Sequence, residues 1–312
     1  MKKKVSIIGG LAVSAALLWL AFRRADAGAL AAILSSLSPA PLWLIFFTVL
    51  GELALRGLKW RLLLAPAGPA RFLDAVRIET AGLALNNILP LRLGELARAA
   101  LGAEFFKISM LTVLATIMAE KILDFAALLL LFLSAAGAGS LPAWLTGSGL
   151  WRYLAPAAAA ALLAAWALAR AGGPPGLRRV LEKLGLGLKA LKRPWAAAGI
   201  FSLALLQWLL NALNYYWLAL AFGAGGIGLR RSVILSFTGA AASSAPGMPG
   251  YFGGFELAVS AVASVMGLGR EAALAYALSA HLFSYFIITA LGVFFIYQMG
   301  RSLSGLWKKF TA

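Results

Sequence analysis

Long apolar runs separated by short polar stretches cover almost the whole chain. A run of about 20 residues, rising roughly 1.5 Å per residue as an α-helix, spans the hydrocarbon layer of a bilayer. We therefore predict six crossing helices, over residues 5–22, 41–64, 108–133, 151–169, 195–222 and 272–298. Arg23 and Arg24 follow the first run at a position that disfavours signal-peptide cleavage, so we interpret that run as an uncleaved helix.

Two segments interrupt this pattern with helix-breaking residues. Residues 72–106 hold two short apolar stretches around a break at 86–95, and residues 232–266 hold two around a break at 243–254. Both breaks contain Pro, which removes a helix donor, and Gly, which relaxes the backbone. Irregular backbone persists at membrane depth only where protein or a water-filled cavity covers it. We predict two re-entrant helix-break-helix hairpins; the alternative is two ordinary helical hairpins with tight external turns.

The two broken segments also indicate an internal repeat. A shift of 161 positions places Glu95 on Glu256 and Glu120 on His281. Each half then consists of a crossing helix, a broken hairpin and a second crossing helix. The basic segment 170–193 is expected in the cytoplasm and the uncharged loop 134–150 outside, which makes the halves inverted. Inverted repeats of this kind are typical of secondary transporters.

These elements predict one all-α polytopic membrane domain with both termini cytoplasmic; the leading hypothesis below assigns it to the bacterial inner (cytoplasmic) membrane. We divide the chain into an N-terminal helix and loop, a first repeat half, a linking helix with a basic cytoplasmic loop, and a second repeat half. The corresponding ranges are 1–40, 41–134, 135–194 and 195–300.

Composition excludes several classes of function. Hydrophobic residues make up 62% of the chain and charged residues 12%, whereas a soluble domain is about 25% charged. The chain has no Cys and one His, so we expect no disulfide, no thiolate nucleophile, no metal and no other cofactor. A net charge of +17 interleaved with apolar runs indicates anionic lipid rather than nucleic acid. No phosphate-binding loop motif is present, so ATP hydrolysis is not expected.

Ionisable residues cluster inside the predicted membrane segments, where each costs roughly 2.5–3.5 kcal/mol at a helix centre. Glu52, Arg56 and Lys59 share one helix face, and Glu120 and Asp124 share another. One interpretation is that these groups pair internally and hold the helices together. The number of such groups favours a second interpretation, a polar path for an anionic or zwitterionic head group.

We therefore predict a set of residues that contact such a head group. The set is Arg56, Lys59, Asn86, Asn87, Pro90, Arg92, Glu95, Arg98, Glu120, Asp124, Glu256 and His281.

Individual roles follow from side-chain chemistry. Arg92 or Arg98 can bind phosphate with two hydrogen bonds, and the free N–H groups of a half-helix beginning near Gly94 suit an anion. Asn86 and Asn87 are hydrogen-bonding candidates, with helix capping as their alternative role.

The second half contributes two further candidates. For Glu256 the alternative is a rim pair with Arg270. His281 is a candidate for proton coupling, although a lone His is more often a packed core or interface residue.

The motifs that contain these residues resemble those of one family. They are Arg56-x-x-Lys59-Trp60, Asn86-Asn87-x-x-Pro90-x-Arg92-x-Gly94-Glu95-x-x-Arg98, Glu120-Lys121-x-x-Asp124 and Pro246-Gly247-x-Pro249-Gly250-x-x-Gly253-x-Phe255-Glu256. From about residue 5 to 300 the chain resembles the lysylphosphatidylglycerol synthase transmembrane-region family, also called flippase-like domain proteins. The resemblance implies a domain that moves lipids between leaflets, with the motif residues in a central cavity.

The resemblance leaves the lipid open. Bifunctional relatives translocate an aminoacylated phosphatidylglycerol made by a fused transferase domain, which we do not expect here, so the aminoacyl-transfer activity is not carried over. Stand-alone relatives are linked to polyprenyl-phosphate-linked sugars and to hopanoids.

The leading hypothesis is a lipid translocator of the bacterial inner membrane rather than an enzyme. Its partners would be the bilayer and an anionic or zwitterionic lipid, with a separate lipid-synthesising enzyme and a second copy of the chain as further candidates. In the cavity, Glu95, Glu120 and Asp124 would tune the phosphate site or bind an amine or a proton. Alternatives are an integral-membrane transferase that uses Glu95 or Asp124 as a base on a polyprenyl-phosphate-linked or phospholipid substrate, a small-solute transporter, and a non-transporting partner of a lipid synthase.

Overall fold

The computed structural model describes residues 14–23, 25–89, 93–136, 182–244 and 249–306. Residues 14–22 are helical. The α-helices that follow are α1 (Ala27–Ser35), α2 (Pro39–Leu64), α3 (Phe72–Ile88), α4 (Gly94–Phe106), α5 (Met110–Ala136), α6 (Pro194–Ala221), α7 (Leu229–Ser243), α8 (Gly254–Val265) and α9 (Arg270–Gln298). Short 3-10 turns occupy Lys189–Lys192 and Pro249–Tyr251. These ranges contain no β-strand, and the predicted all-α polytopic fold is confirmed.

Within the described part of the chain, three helices are long and apolar enough to cross a membrane, namely α2, α6 and α9. Helix α5 is also 27 residues long, but it carries three of the charged side chains described below. The predicted crossing at 151–169 and most of the one at 5–22 lie outside the described residues, so the number of six stays a prediction. Helix α1 was not predicted; it begins where Asp26 accepts hydrogen bonds from the Gly28 and Ala29 N–H groups at 2.8 and 3.1 Å.

The two helix-break-helix segments are present as pairs of packed short helices. Helices α3 and α4 contain 17 and 13 residues, and α7 and α8 contain 15 and 12. At roughly 1.5 Å per residue each is shorter than the hydrocarbon layer of about 30 Å. Residues 90–92 and 245–248, in the two breaks, lie outside the described residues.

The packing of the helices is symmetric between the two halves. Helix α2 packs along α6, which is its counterpart. Helix α3 packs on α9, and its counterpart α7 packs on α5. The α2–α3, α4–α5 and α2–α5 contacts likewise match α6–α7, α8–α9 and α6–α9. The first short helix of each half therefore packs on the last long helix of the other half, on either side of the α2–α6 contact, which we call the seam.

The helix ends lie at two opposite faces of the protein. On the first face, Arg301 pairs with Glu104, and Gly187 lies against the beginning of α5. On the second face, the Ser38 N–H donates to the Ala221 carbonyl at 3.1 Å. The first face comprises residues 64–71, 104–110, 185–194 and 299–306, and the second comprises 35–39, 135–136, 221–231 and 265–270. The α3–α4 hairpin has its open end on the first face, and the α7–α8 hairpin has its open end on the second.

Candidate functional site

A buried network of charges joins four helices of the first half. Arg98 of α4 lies 2.5 Å from Glu120 of α5 and also contacts Glu79 of α3. Lys59 of α2 lies 3.4 Å from Glu120 and also contacts Asp124. All five side chains are at most 7% exposed. Each cation is shared by two carboxylates, which is how a protein keeps charges away from water without leaving them unpaired.

A second layer of charges lies next to this network but closer to the surface. The Lys121 ammonium is 2.8 Å from Glu95, and these side chains are 43% and 24% exposed. Glu95 also accepts a 3.4 Å hydrogen bond from the Asn86 amide. Arg56 bonds to Glu52 one turn earlier on α2 at 2.9 Å.

Helix α6 adds a polar stripe that the sequence analysis missed. Its amides Gln207, Asn211 and Asn214 repeat the i, i+4, i+7 spacing of Glu52, Arg56 and Lys59 on α2. The bonded pairs across the seam are Lys59–Gln207 at 2.5 Å, Glu52–Asn211 at 3.2 Å and Thr48–Asn214. The pairing order runs in opposite directions along the two helices, so α2 and α6 are antiparallel. The sequence feature that could have revealed this stripe is the matching spacing of the three amides in a helix that has no charged residue.

A cavity of about 890 Å³ opens beside these side chains. Its polar lining includes Glu52, Arg56, Asn87, Glu95, Lys121, Asp124 and Asn211. Its apolar lining comes from Ile117, Leu128, Phe237 and Phe283, among others. Met118 and Phe125 of α5 also line it, and each is 62% exposed. The cavity therefore opens sideways past α5, in the direction where a bilayer would lie.

The predicted residues divide into two groups around this cavity. Arg56, Asn87, Glu95, Asp124 and His281 line it. The other described members are buried behind its wall: Lys59, Asn86, Arg98, Glu120 and Glu256. Pro90 and Arg92 lie outside the described residues. Contact with a substrate stays a prediction for the whole set. The predicted set omitted three charged residues of these two layers: Glu79, in the buried network, and Glu52 and Lys121, at the cavity.

The N-terminus of α4 does not open into the cavity as expected. Gly94 is buried against α3, where a Cβ would lie 2.2 Å from the Gly82 carbonyl oxygen. Only a glycine allows this close approach of the two short helices. Glu95, the next residue of this helix end, lines the cavity, whereas Gly94 does not.

The described residues of the second half include a buried ionisable pair that faces the cavity on one side. Glu256 of α8 lies 2.6 Å from Nδ1 of His281 on α9 and accepts the Gly253 N–H at 2.6 Å. Arg270, the alternative partner considered above, is exposed at the beginning of α9, whereas Glu256 is fully buried. The carboxylate is thus a core group and not a rim group.

The family model for the lysylphosphatidylglycerol synthase transmembrane region matches residues 7–292. The chain belongs to this family. The matched range includes every described residue that lines the cavity. The candidate site therefore lies within the part of the chain that the family model covers. Membership supports a membrane-embedded protein with a function related to lipids. Comparison with curated proteins and with solved structures found no match.

Proposed function

We propose that this protein moves lipids between leaflets, with the head group in the cavity and the acyl chains in the bilayer. The observation that supports this most directly is the division of the cavity into a charged inner wall and an apolar side opening. A head group that crosses hydrocarbon alone loses its hydrogen bonds to water, which is costly. A wall of paired charges and amides replaces those bonds along the path.

The positions of the charges suggest how a head group would be held. Arg56 and Lys121 would face a phosphate, and Glu95 and Asp124 would face an amine or a hydroxyl. The acyl chains would leave past Met118. The rest of the buried network, Lys59, Glu79, Arg98 and Glu120, would hold the helices in register behind the wall and would not itself contact the lipid.

We also propose that the two halves are an inverted repeat in the inner membrane, with the first face in the cytoplasm. The symmetric helix contacts and the opposite open ends of the hairpins support this arrangement. The basic residues support the orientation. The first face carries Arg71, Lys107, Lys189, Lys192, Arg193 and Arg301.

Single cysteine substitutions test the orientation without background, because the chain has no Cys. Gly185 lies on the first face and Gly225 on the second, and a side chain at either position meets nothing within 4 Å. In intact cells a membrane-impermeant maleimide should label the Gly225→Cys variant, and the Gly185→Cys variant only after permeabilisation. The reverse labelling would contradict the proposed orientation, and labelling of both in intact cells would contradict opposite faces.

A second cysteine pair tests whether head groups enter the cavity. Ser284 lines the cavity, whereas Phe286, two residues away on the same helix, is 62% exposed on the outer surface and does not line it. A phospholipid with a maleimide on its head group should modify the Ser284→Cys variant at least several times faster than the Phe286→Cys variant. Equal rates would mean that head groups do not prefer the cavity. A maleimide on an acyl chain serves as the control, since it should reach the Phe286→Cys variant.

The decisive experiment measures leaflet exchange in proteoliposomes. Fluorescent phosphatidylglycerol, an aminoacylated analogue and a polyprenyl phosphate are tested separately, with and without ion gradients. We expect the purified protein to accelerate exchange of at least one of them. Exchange equal to that of empty liposomes for all three would refute the proposal. Turnover of a lipid-linked donor in its place would favour the transferase hypothesis.

A further inference from the structure

We infer that the His281–Glu256 pair is a proton-binding site that couples lipid movement to the transfer of a proton. This inference rests on the proposed translocation and adds its driving ion. The candidate is the one histidine of the sequence, and the structure places it in the cavity wall. An ionisable pair at membrane depth is a candidate functional site because its burial is costly.

The geometry gives the pair access on one side and isolation on the other. His281 lines the cavity, and its Nδ1 lies 2.6 Å from Glu256, which is fully buried. Phe252 and Phe255 flank the imidazole, with ring centroids 4.7 and 4.6 Å away. A proton can therefore reach the pair from the cavity, while the aromatic rings restrict other routes.

The chemistry of the pair needs only one proton. In the neutral ring, an Nδ1–H that donates to Glu256 leaves Nε2 as a lone-pair acceptor. A proton taken up at Nε2 converts the ring to an imidazolium that faces the carboxylate. Histidine is the side chain type that most often exchanges a proton in proteins, which makes it the natural candidate for this step.

The two halves differ at their matching positions. In the first half, Glu95 and Glu120 pair with Lys121, Lys59 and Arg98, which are lysine and arginine side chains. Lysine and arginine side chains ordinarily carry their charge throughout the neutral pH range. At the matching positions of the second half, Glu256 pairs with a histidine. The first half therefore supplies fixed charge, and the second half supplies a charge that can be switched.

A structural link connects the pair to the break between α7 and α8. The second oxygen of Glu256 accepts the Gly253 N–H at 2.6 Å, at the beginning of α8. Gly250, Tyr251 and Gly253 all have positive φ, at 61°, 61° and 89°. A charged His281 attracts the Glu256 carboxylate more strongly than a neutral one does, and the same carboxylate holds the Gly253 N–H at the end of the break. Proton binding and the position of α8 therefore both depend on Glu256.

Other titratable or charged groups face the same cavity and must be considered in any pH experiment. They are Glu52 and Arg56 of α2, Glu95 of α4, Lys121 and Asp124 of α5, Tyr215 of α6, Tyr251 of the break and Tyr285 of α9. A pH dependence of transport alone would not identify His281, and the tests below use readouts specific to it.

The first test observes the proton directly. Protein labelled with ¹⁵N-histidine in nanodiscs gives one imidazole signal set, because the chain has one His. Between about pH 5 and 9 we expect the ring nitrogens to change from the neutral to the charged pattern. A ring that keeps one protonation state throughout this range would overturn the inference, whatever the lipid assays show.

The second test measures coupling by the final lipid distribution, with the membrane potential clamped. A protein that is not coupled equilibrates a lipid to the same leaflet ratio with or without a pH gradient. One proton per lipid allows the ratio to shift by up to about tenfold per pH unit. We expect a shift of at least twofold per pH unit in the wild type and in the Arg77→Gln variant, and none in the His281→Gln variant.

The outcomes separate the two proposals. Exchange by the wild type with an unchanged leaflet ratio would overturn the coupling and leave translocation intact. No exchange of any lipid would overturn both. If the His281→Gln variant does not fold, the wild-type leaflet ratio and the imidazole titration still decide the question.

Discussion

The Arg98→Met variant is expected to lose about 3–5 kcal/mol of unfolding free energy, the largest stability effect that we predict. Arg98 is 2% exposed and is the cation shared by Glu79 and Glu120. Its removal leaves Glu79 and Glu120 buried without their shared cation, and of these two carboxylates only Glu120 still contacts Lys59. Methionine retains most of the packing against the Trp60 ring, whose centroid is 4.2 Å from the guanidinium. The measurement is a reversible SDS titration in mixed micelles.

The matched control is Arg301→Met at the first face. Arg301 also pairs with a glutamate, Glu104, but these side chains are 39% and 45% exposed. An exposed pair contributes at most about 1 kcal/mol, because water screens it and the long side chains lose entropy on pairing. Similar losses in the two variants would show that the Arg98 network is hydrated in the membrane and does not hold the helices together.

The apolar pattern was sufficient to predict the long helices. The predicted run 195–222 corresponds to α6 (Pro194–Ala221), and 272–298 corresponds to α9 (Arg270–Gln298). Such agreement is expected where a proline or a polar group coincides with the membrane boundary. Helix α1 was missed because a nine-residue helix has too few turns to show a periodic pattern, and its Asp26 cap is a single weak signal.

The site was only partly predictable, because spacing along one helix does not reveal what faces it. The Glu52–Arg56 pair follows from the i, i+4 spacing and is present. The same spacing predicted Lys59 on the same helix face as this pair. Lys59 nevertheless lies behind the cavity wall, where it bonds to Gln207, an amide 148 positions away. Which charges are buried and which line the cavity depends on the antiparallel seam between α2 and α6.

The shift of 161 positions, from which we predict an internal repeat, also bears on the site. The shift that places Glu95 on Glu256 and Glu120 on His281 relates pairs of helices that are packed in both halves. In the second half the two residues contact each other directly; in the first half, Glu95 contacts Lys121, the neighbour of Glu120. The shift therefore relates two positions that make ionic contacts in each half, while the identity of each partner depends on the local side chains.

The Arg56→Gln variant is expected to slow lipid exchange about 10- to 100-fold, the largest functional effect that we predict. A hydrogen bond to a charged group is worth roughly 1.5–3 kcal/mol, and about 1.4 kcal/mol corresponds to a factor of ten. Arg56 lines the cavity, where its guanidinium is within 5.9 Å of the Trp208 ring centroid and bonds to Glu52. Glutamine keeps a donor toward Glu52 but removes the charge that a phosphate would contact.

The comparison variants for Arg56 separate charge from shape. Arg77→Gln removes an arginine that also pairs with an acid on its own helix, Asp74 at 3.2 Å, but does not line the cavity, and it should exchange lipid at the wild-type rate. Arg56→Lys keeps the charge and loses the planar fork, so it should recover part of the rate for a phosphate head group. A folded Arg56→Gln protein that exchanges as fast as the wild type would contradict a role of this guanidinium in holding the head group. The polar path would then have to rest on Lys121, because the remaining described cations of the first-half network, Lys59 and Arg98, do not line the cavity.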